Sequence, residues 1–379
     1  MNESVTTVSR KEEPLGDAAA AVAVISNDDL RRSGVTSIVD VLRLVPGVDV
    51  GSLNSSQSAV SARGFNHLYS NKLLVLVDGR AVYTPLFAGV YWDMQQLLLE
   101  DIERIEVIRG PGATLWGANA VNGVINIITR SAQDTQGGLW YAGGGNVQRS
   151  IAGGRYGGQL SPDTSYRVFA GAQSTDDYYT SGGAQAGDHW RGAHAGMRID
   201  SDADARTHLT WQADASSVNL DNGASDGYAA SALARWSRRF SEHSSFDIQA
   251  YYDRTYRNEI TRARYSVDTF DVSLQHAFTL GARNDAVWGL DFRSISDRAG
   301  QTTPLVTVLS THFDSRLFSF FVQDELAVIP GRLFVTAGAK IEHNDFTGVE
   351  IQPNLRLRLK LSDRQTLWAA ESRAVRTPD

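Results

Sequence analysis

Residues able to make and break bonds are scarce in this chain, and those present are badly spaced for it. There is no cysteine, which removes thiolate metal sites, disulfides and thiol nucleophiles together. Gly110-Pro111-Gly112 lacks the Lys-Ser/Thr that a phosphate-binding loop needs, and no helix follows Gly143-Gly144-Gly145, so neither reads as a nucleotide site. The eight histidines, at 67, 189, 194, 208, 243, 276, 312 and 343, never stand four apart around a glutamate, and His189 and His194 miss that spacing. No metal site and no cofactor are expected. What remains suits recognition. Arg63 and Arg109 each precede a glycine, Glu325 and Glu371 sit in alternating segments, and Phe87, Tyr91 and Trp92 cluster within six residues, with Asn66 and Tyr69 upstream. Flat aromatic rings suit stacking on a large chelate, and equally suit packing on a protein wall. An enzyme is the least supported class.

The elements that must position these residues differ on the two sides of residues 103–130, ERIEVIRGPGATLWGANAVNGVINIITR. A chain of 379 residues has material for two or three domains. Hydrophobic content is 42 %, yet no run approaches the roughly 18 apolar residues of a membrane-spanning helix. A membrane barrel stays open, because its strands alternate polar and apolar residues. The 34 glycines and abundant Tyr, Phe and Trp suit twisted sheet with aromatic girdles. A net charge of −7 argues against a nucleic-acid partner. The first residues lack the charged and apolar regions of a secretory leader, which is expected to have been removed or never included.

Upstream, residues 26–47 read as a helix: Ser26–Asp29 supplies capping oxygens, Leu30, Ile38, Val41, Leu42 and Val45 form an apolar stripe, and Pro46-Gly47 ends it. Gly34 is the flaw that divides it into two short helices if it divides. Residues 51–58 are polar and read as an exposed loop. Residues 72–83 read as a strand, a turn at Asp78-Gly79 and a return strand. Further strands are expected at Ile105–Ile108 and Val124–Ile128. Together they make a small mixed sheet with helices.

From about Gly137 the texture changes to strict alternation. In Leu355–Leu361 the leucines take one face and Arg356, Arg358 and Lys360 the other. Similar patterns recur near 206–214, 246–253 and 333–342. Alternation puts Glu325 opposite Phe318, Phe320 and Val322, and Glu371 opposite Trp368 and Ala370, which predicts that both glutamates face the interior. Links near 159–164, 200–205, 240–245, 280–285, 329–332 and 361–365 are short. Those near 175–188, 218–229, 257–267, 297–314 and 344–350 are mostly long, as in an up-and-down membrane barrel.

The ordered series Val60–Phe65, LLVLVDGRAVY, DIERIEVIRGP and NGVINIIT resembles the plug domain of TonB-dependent outer-membrane receptors, over almost all of residues 20–135. The resemblance implies an α+β plug domain (20–135) behind an N-terminal extension (1–19). An antiparallel transmembrane β-barrel follows (136–379), with about a dozen of the family's roughly 22 strands present, so that the barrel looks truncated. It also implies that Val5, Thr6, Thr7, Val8 and Ser9 form a TonB box, an extended segment that adds as a strand to a TonB-type periplasmic energy-transducing protein. A flexible link over residues 11–16 is expected behind it. Arg63 and Arg109 are implied to latch onto Glu325 and Glu371 of the barrel wall, where a partly buried Arg–carboxylate contact needs both partners. Asn66, Tyr69, Phe87, Tyr91 and Trp92 would face the ligand, a ferric siderophore or a cobalamin-like chelate. The expected setting is the bacterial outer membrane, with the chain a monomer in contact with lipid. The rival readings are a structural or adhesive β protein without transport and a non-functional receptor fragment.

Overall fold

The computed structural model describes residues 4–87, 89–110, 112–220, 225–259, 263–301, 307–308, 310–362 and 365–377. Ser4–Val5 (β1) pairs with Glu13–Pro14 (β2), and Val22–Ser26 (β3) runs directly into α1 (Asn27–Ser33) and α2 (Ile38–Leu42). The helix does divide at Gly34, which caps α1 with φ 69°, a left-handed conformation that glycine adopts without steric cost. At the other end Ser26 and Asp29 form a reciprocal capping box: Asp29 N donates to Ser26 Oγ at 3.2 Å and Ser26 N to the Asp29 carboxylate at 3.1 Å.

Residues 48–62 form a hairpin, β4 (Val48–Ser52) and β5 (Ser58–Ala62), so the expected loop shrinks to its tip. The strands β6 (Leu73–Val77) and β7 (Arg80–Ala81) meet at Asp78 and Gly79, with φ of 50° and 84°, the pair of positive angles that a two-residue hairpin demands. Then follow β8 (Ile102–Arg109), α3 (Ala113–Trp116) and β9 (Gly123–Thr129), giving a five-stranded sheet in the order β3-β8-β9-β6-β7. Only β6 and β9 run parallel. All of β6 is buried, because the sheet is covered on both faces. One face packs Val75, Ile105 and Ile127 against Leu30, Val41 and Leu42 of the helices. The other packs Leu74, Leu76 and Val124 against Val5 and Val8 of the N-terminal segment.

The remaining strands form one antiparallel sheet of thirteen in sequence order. They are β10 (Gly137–Gly143), β11 (Gln148–Ser161), β12 (Thr164–Thr175), β13 (Trp190–Asp204), β14 (Thr207–Leu220), β15 (Ser225–Ser241) and β16 (Ser244–Glu259). They continue as β17 (Ala263–Leu280), β18 (Asn284–Gln301), β19 (His312–Ile329), β20 (Leu333–Asn344), β21 (Gly348–Ser362) and β22 (Gln365–Ser372). Among the described residues β10 and β22 do not pair with each other.

Burial shows which face of this sheet is the wet one. Leu355 and Leu357 are 53 % and 44 % exposed while Arg358 beside them is 6 % exposed, and Arg257 and Glu342 are each at 1 %. Apolar residues outside and charges within invert a water-soluble protein and fit a wall whose outer face meets hydrocarbon. The long links are fewer than expected. Residues 176–189 make one long link, but four residues or fewer separate β14 from β15, β16 from β17 and β20 from β21. The strands themselves supply the difference: β17, β18 and β19 are 18 residues each, against the 9–11 or so that cross a bilayer.

Candidate functional site

The N-terminal segment is seated inside the molecule. Val5, Thr7 and Val8 are 0–2 % exposed. Their apolar side chains complete the sheet, so polar backbone must be satisfied there too. Glu106, on β8 and wholly buried, does this: its carboxylate accepts from Thr6 N at 2.9 Å, from Thr7 N at 2.8 Å and from both threonine hydroxyls. Arg104 Nε balances the charge at 2.8 Å. Trp116 Nε1 donates to Thr7 O at 2.8 Å, and Arg356 of the wall to Val8 O at 3.1 Å. Ser9 Oγ donates to Lys11 O.

Arg10 follows in a left-handed conformation, φ 57°. Its guanidinium lies between the Trp116 ring of the plug, at 4.4 Å, and the Phe321 ring of the wall, at 4.7 Å. Burial pushes its pKa down to about 10, against the opposing effect of Asp291 and Asp271. The link behind it is anchored rather than free. Lys11 pairs with Asp285 of β18, and Asp17 with Arg358 and Lys360 of β21, because a short acidic and basic run meets a wall that carries both signs.

The expected latch has other partners. Glu325 does face the interior, but it pairs with Arg358 at 2.7 Å and accepts from Thr336. Glu371 stands directly opposite Leu355 on the neighbouring strand, and Trp368 opposite Arg358. Opposed residues share a face, so Glu371 lies on the outer face with the leucines, contrary to the expectation. Alanine and tryptophan are too ambiguous a pair of neighbours to fix the face of β22. Arg109 donates to Pro46 O at 2.7 Å, and the Arg63 guanidinium lies over Gly110. Both arginines border a cavity of about 330 Å³ that reaches β22 and Glu371. Among the described residues no ion pair joins either of them to Glu325 or Glu371.

The ties between plug and wall run with the charges reversed, aspartates of the plug gripping arginines of the wall. Asp101 pairs with Arg155 and Arg167 (3.2 Å to Nε), and Asp93 with Arg257 at 2.7 Å. Asp78 lies 4.0 Å from Arg198 and accepts from Gln212 at 3.0 Å. Arg80 pairs the other way, with Asp253. Sequence reasoning missed these residues, although the signal existed: Arg155, Arg167, Arg198 and Arg257 are lone arginines on the inner faces of alternating strands, and buried arginines need acids.

At the outer end, Tyr69, Phe87, Tyr91 and Tyr265 of the wall form a chain of rings with centroids 5.0, 5.0 and 6.0 Å apart. Arg257 lies over Tyr91 at 4.6 Å, and burial raises the Tyr91 hydroxyl above its ordinary range. Asn66 donates to Asp49 O at 2.9 Å. Trp92 instead packs against the plug core, so it stands apart from this chain. The long link 176–189 reaches down to the plug hairpin: Ser55 N donates to Asp188 at 2.8 Å, and Trp190 Nε1 to Ser55 O at 2.8 Å.

Residues 14–124 match the TonB-dependent Receptor Plug Domain model, and residues 128–379 the TonB dependent receptor-like, beta-barrel model. The chain is 37 % identical over 144 residues to the vitamin B12 transporter BtuB of Vibrio vulnificus, covering 38 % of this chain and 23 % of that protein. It is 32 % identical over 220 residues to the vitamin B12 transporter BtuB of Photobacterium profundum, covering 53 % and 36 %. Among solved structures, a variant of the ferric enterobactin receptor PfeA of Pseudomonas aeruginosa matches with a TM-score of 0.78 at 20 % identity, over 95 % of this chain and 62 % of that one. The ferric citrate transporter FecA matches with a TM-score of 0.74 at 17 % identity, over 96 % and 64 %. At such identities the structural likeness speaks to fold. The chain spans about a quarter to a third of the curated relatives' length and under two thirds of these receptors.

Proposed function

The chain belongs to the TonB-dependent receptor family, and from that premise we propose that it imports a scarce metal chelate, of the ferric-siderophore or cobalamin kind, across the bacterial outer membrane. The observation that carries this reading is the seat of residues 5–8 on the plug sheet, hydrogen-bonded to Glu106. The Glu106 carboxylate, single hydrogen bonds from Trp116 and Arg356 and the apolar contacts of Val5 and Val8 store the segment under the plug, where a partner can exchange for it. A TonB-type protein that adds it as a strand supplies replacement backbone hydrogen bonds, so the exchange is near balance and tension decides it. Val5, Thr6, Thr7, Val8 and Ser9 are the residues it would take. The aromatic chain Tyr69–Phe87–Tyr91–Tyr265 offers the ring faces on which a large chelate would rest. The cargo is carried unchanged, and no resident cofactor is called for.

The test is accumulation of labelled vitamin B12 and labelled ferric enterobactin by cells that make the protein, with and without the energy-transducing partner. Accumulation of either that depends on the partner supports the proposal. Surface binding alone, unchanged by loss of the partner, favours the non-transporting reading.

A further inference from the structure

A chamber of about 380 Å³ lies between the plug and strands β10–β13 of the wall, and none of the rings Tyr69, Phe87, Tyr91 and Tyr265 lines it. The link 176–189 closes one side. Tyr178 of that link lines the chamber, and Asp188 holds it there: Tyr178 N donates to one carboxylate oxygen at 2.8 Å and Ser55 N of the plug hairpin to the other at 2.8 Å. The plug side is held as well. Asp93 in the lining pairs with Arg257, and Asp101, next to Glu100 of the lining, pairs with Arg155 and Arg167. These fixed ties preform the space, as a small-molecule site requires.

The lining decides the class of ligand. Among the described residues it has no lysine or arginine, and its acids Asp40, Asp93 and Glu100 already pair with Arg43 at 3.1 Å, Arg257 at 2.7 Å and Arg31 at 3.5 Å. An anion would meet acids and no free cation, and a cation would have to break one of these pairs, so either charge is disfavoured. Trp92, Tyr141, Tyr178 and Trp190 supply ring faces, while Ser37, Ser52, Asn54 and Gln95 supply hydroxyls and amides. Two further lining residues hold unsatisfied groups: Gln96 Oε1 and both ring nitrogens of His194 are buried without a hydrogen-bond partner, a state that native interiors rarely leave uncompensated. The wall is cut back to seat both side chains. A Cβ at Gly192 would stand 2.3 Å from Gln96 Nε2, and one at Gly171 2.5 Å from His194 Cε1. We infer that this chamber binds an uncharged aromatic molecule bearing hydroxyl groups, stacked on the rings, with Gln96 and His194 supplying unpaired polar atoms. The site is separate from the aromatic chain of the outer end and does not depend on transport.

The probe is para-fluorophenyl glucoside, uncharged, with para-fluorobenzoate and para-fluorobenzylammonium as its anionic and cationic counterparts. Each is titrated against the purified full chain and followed by its fluorine NMR line width. Ser56→Trp, near the tip of the plug hairpin, and Ile151→Trp, on β11, fill the chamber from its two sides. Ile341→Trp adds the same ring on the outer face, where Ile341 is 46 % exposed. The expected result is saturable binding of the glucoside, about tenfold or more tighter than of either charged probe. Each filling substitution should weaken it about tenfold or more, and Ile341→Trp less than about twofold. With one filling position on each domain, the second decides if the first variant fails to fold. No saturable binding of the glucoside, comparable binding of a charged probe, an affinity unmoved by the filling substitutions, or an equal loss in Ile341→Trp overturns the inference.

Discussion

Glu106 holds Thr7 twice, accepting from its backbone N–H at 2.8 Å and from its hydroxyl at 2.5 Å. One buried carboxylate thereby fixes the turn that follows β1 to a sheet element about a hundred residues away in sequence. The contact helps cover Leu74 and Leu76 from water, and on the proposed reading it also sets how readily residues 5–9 are released to a partner.

Glu106→Ala leaves the N–H groups of Thr6 and Thr7 and the Nε of Arg104 without their acceptor, while Arg104 keeps its pair with Glu103. Hydrogen bonds to a charged group are worth roughly 1.5–3 kcal/mol each, so the segment should leave its seat in a large fraction of molecules. A spin label at position 9 should become mobile in Glu106→Ala and only partly so in Glu106→Gln, which keeps one acceptor. An unchanged spectrum in Glu106→Ala would show that apolar packing alone holds the segment.

Asp101→Ala strands two nearly buried arginines, Arg155 and Arg167. Removing one partner of a buried pair costs about 3–5 kcal/mol, so the melting temperature of the purified protein should fall clearly. Asp28→Ala, which breaks the exposed pair with Arg32, should cost less than about 1 kcal/mol. Similar losses from both would remove the aspartates from their place as the fixed ties.

Glu13 carries the pH dependence of the seat. Burial pushes its pKa up, and one of its carboxylate oxygens is buried without a hydrogen-bond partner. The seated state therefore binds the proton more tightly than the released one. Seating is strengthened as pH falls through the raised value and weakened as pH rises through that window, the reverse of a carboxylate held by a cation. Glu13→Gln should seat the segment more firmly at neutral pH and flatten the dependence, read from the mobility of the same label. A seat that loosens on acidification would contradict the assignment.

Proline at Val5 removes a backbone donor from the short β1–β2 ladder and from any strand added to a partner. Energy-dependent uptake should be lost while the chelate still binds at the cell surface. Uptake at the parental rate would show that Val5 is not part of the partner's strand.

Much of this was legible because local chemistry and fold agree. Gly34 and the Ser26–Asp29 box sit where a helix must break and begin, Asp78-Gly79 where a hairpin must turn, and Leu355–Leu361 where one face must be wet. The strand Val22–Ser26 was hidden in an apolar run that periodicity alone does not assign. The face of Glu371 was misread because its neighbours are small or ambiguous, and only its register against Leu355 settles it. The aspartate ties were invisible since each joins residues tens to more than a hundred and fifty positions apart. A charged segment such as Lys11–Asp17 reads as a solvated link until the opposing Asp285, Arg358 and Lys360 are in view.

The claim that residues 5–9 pass from Glu106 to a partner strand is tested most directly by disulfide trapping in cells. Cysteine at Thr6 is paired with cysteines placed along the periplasmic domain of the energy-transducing protein, in the parent and in Glu106→Ala. The account predicts cross-links at alternate partner positions, as a paired strand requires, weak in the parent without added chelate and strong in Glu106→Ala. Absence of any cross-link in both backgrounds, or equal yield at every partner position, would contradict it.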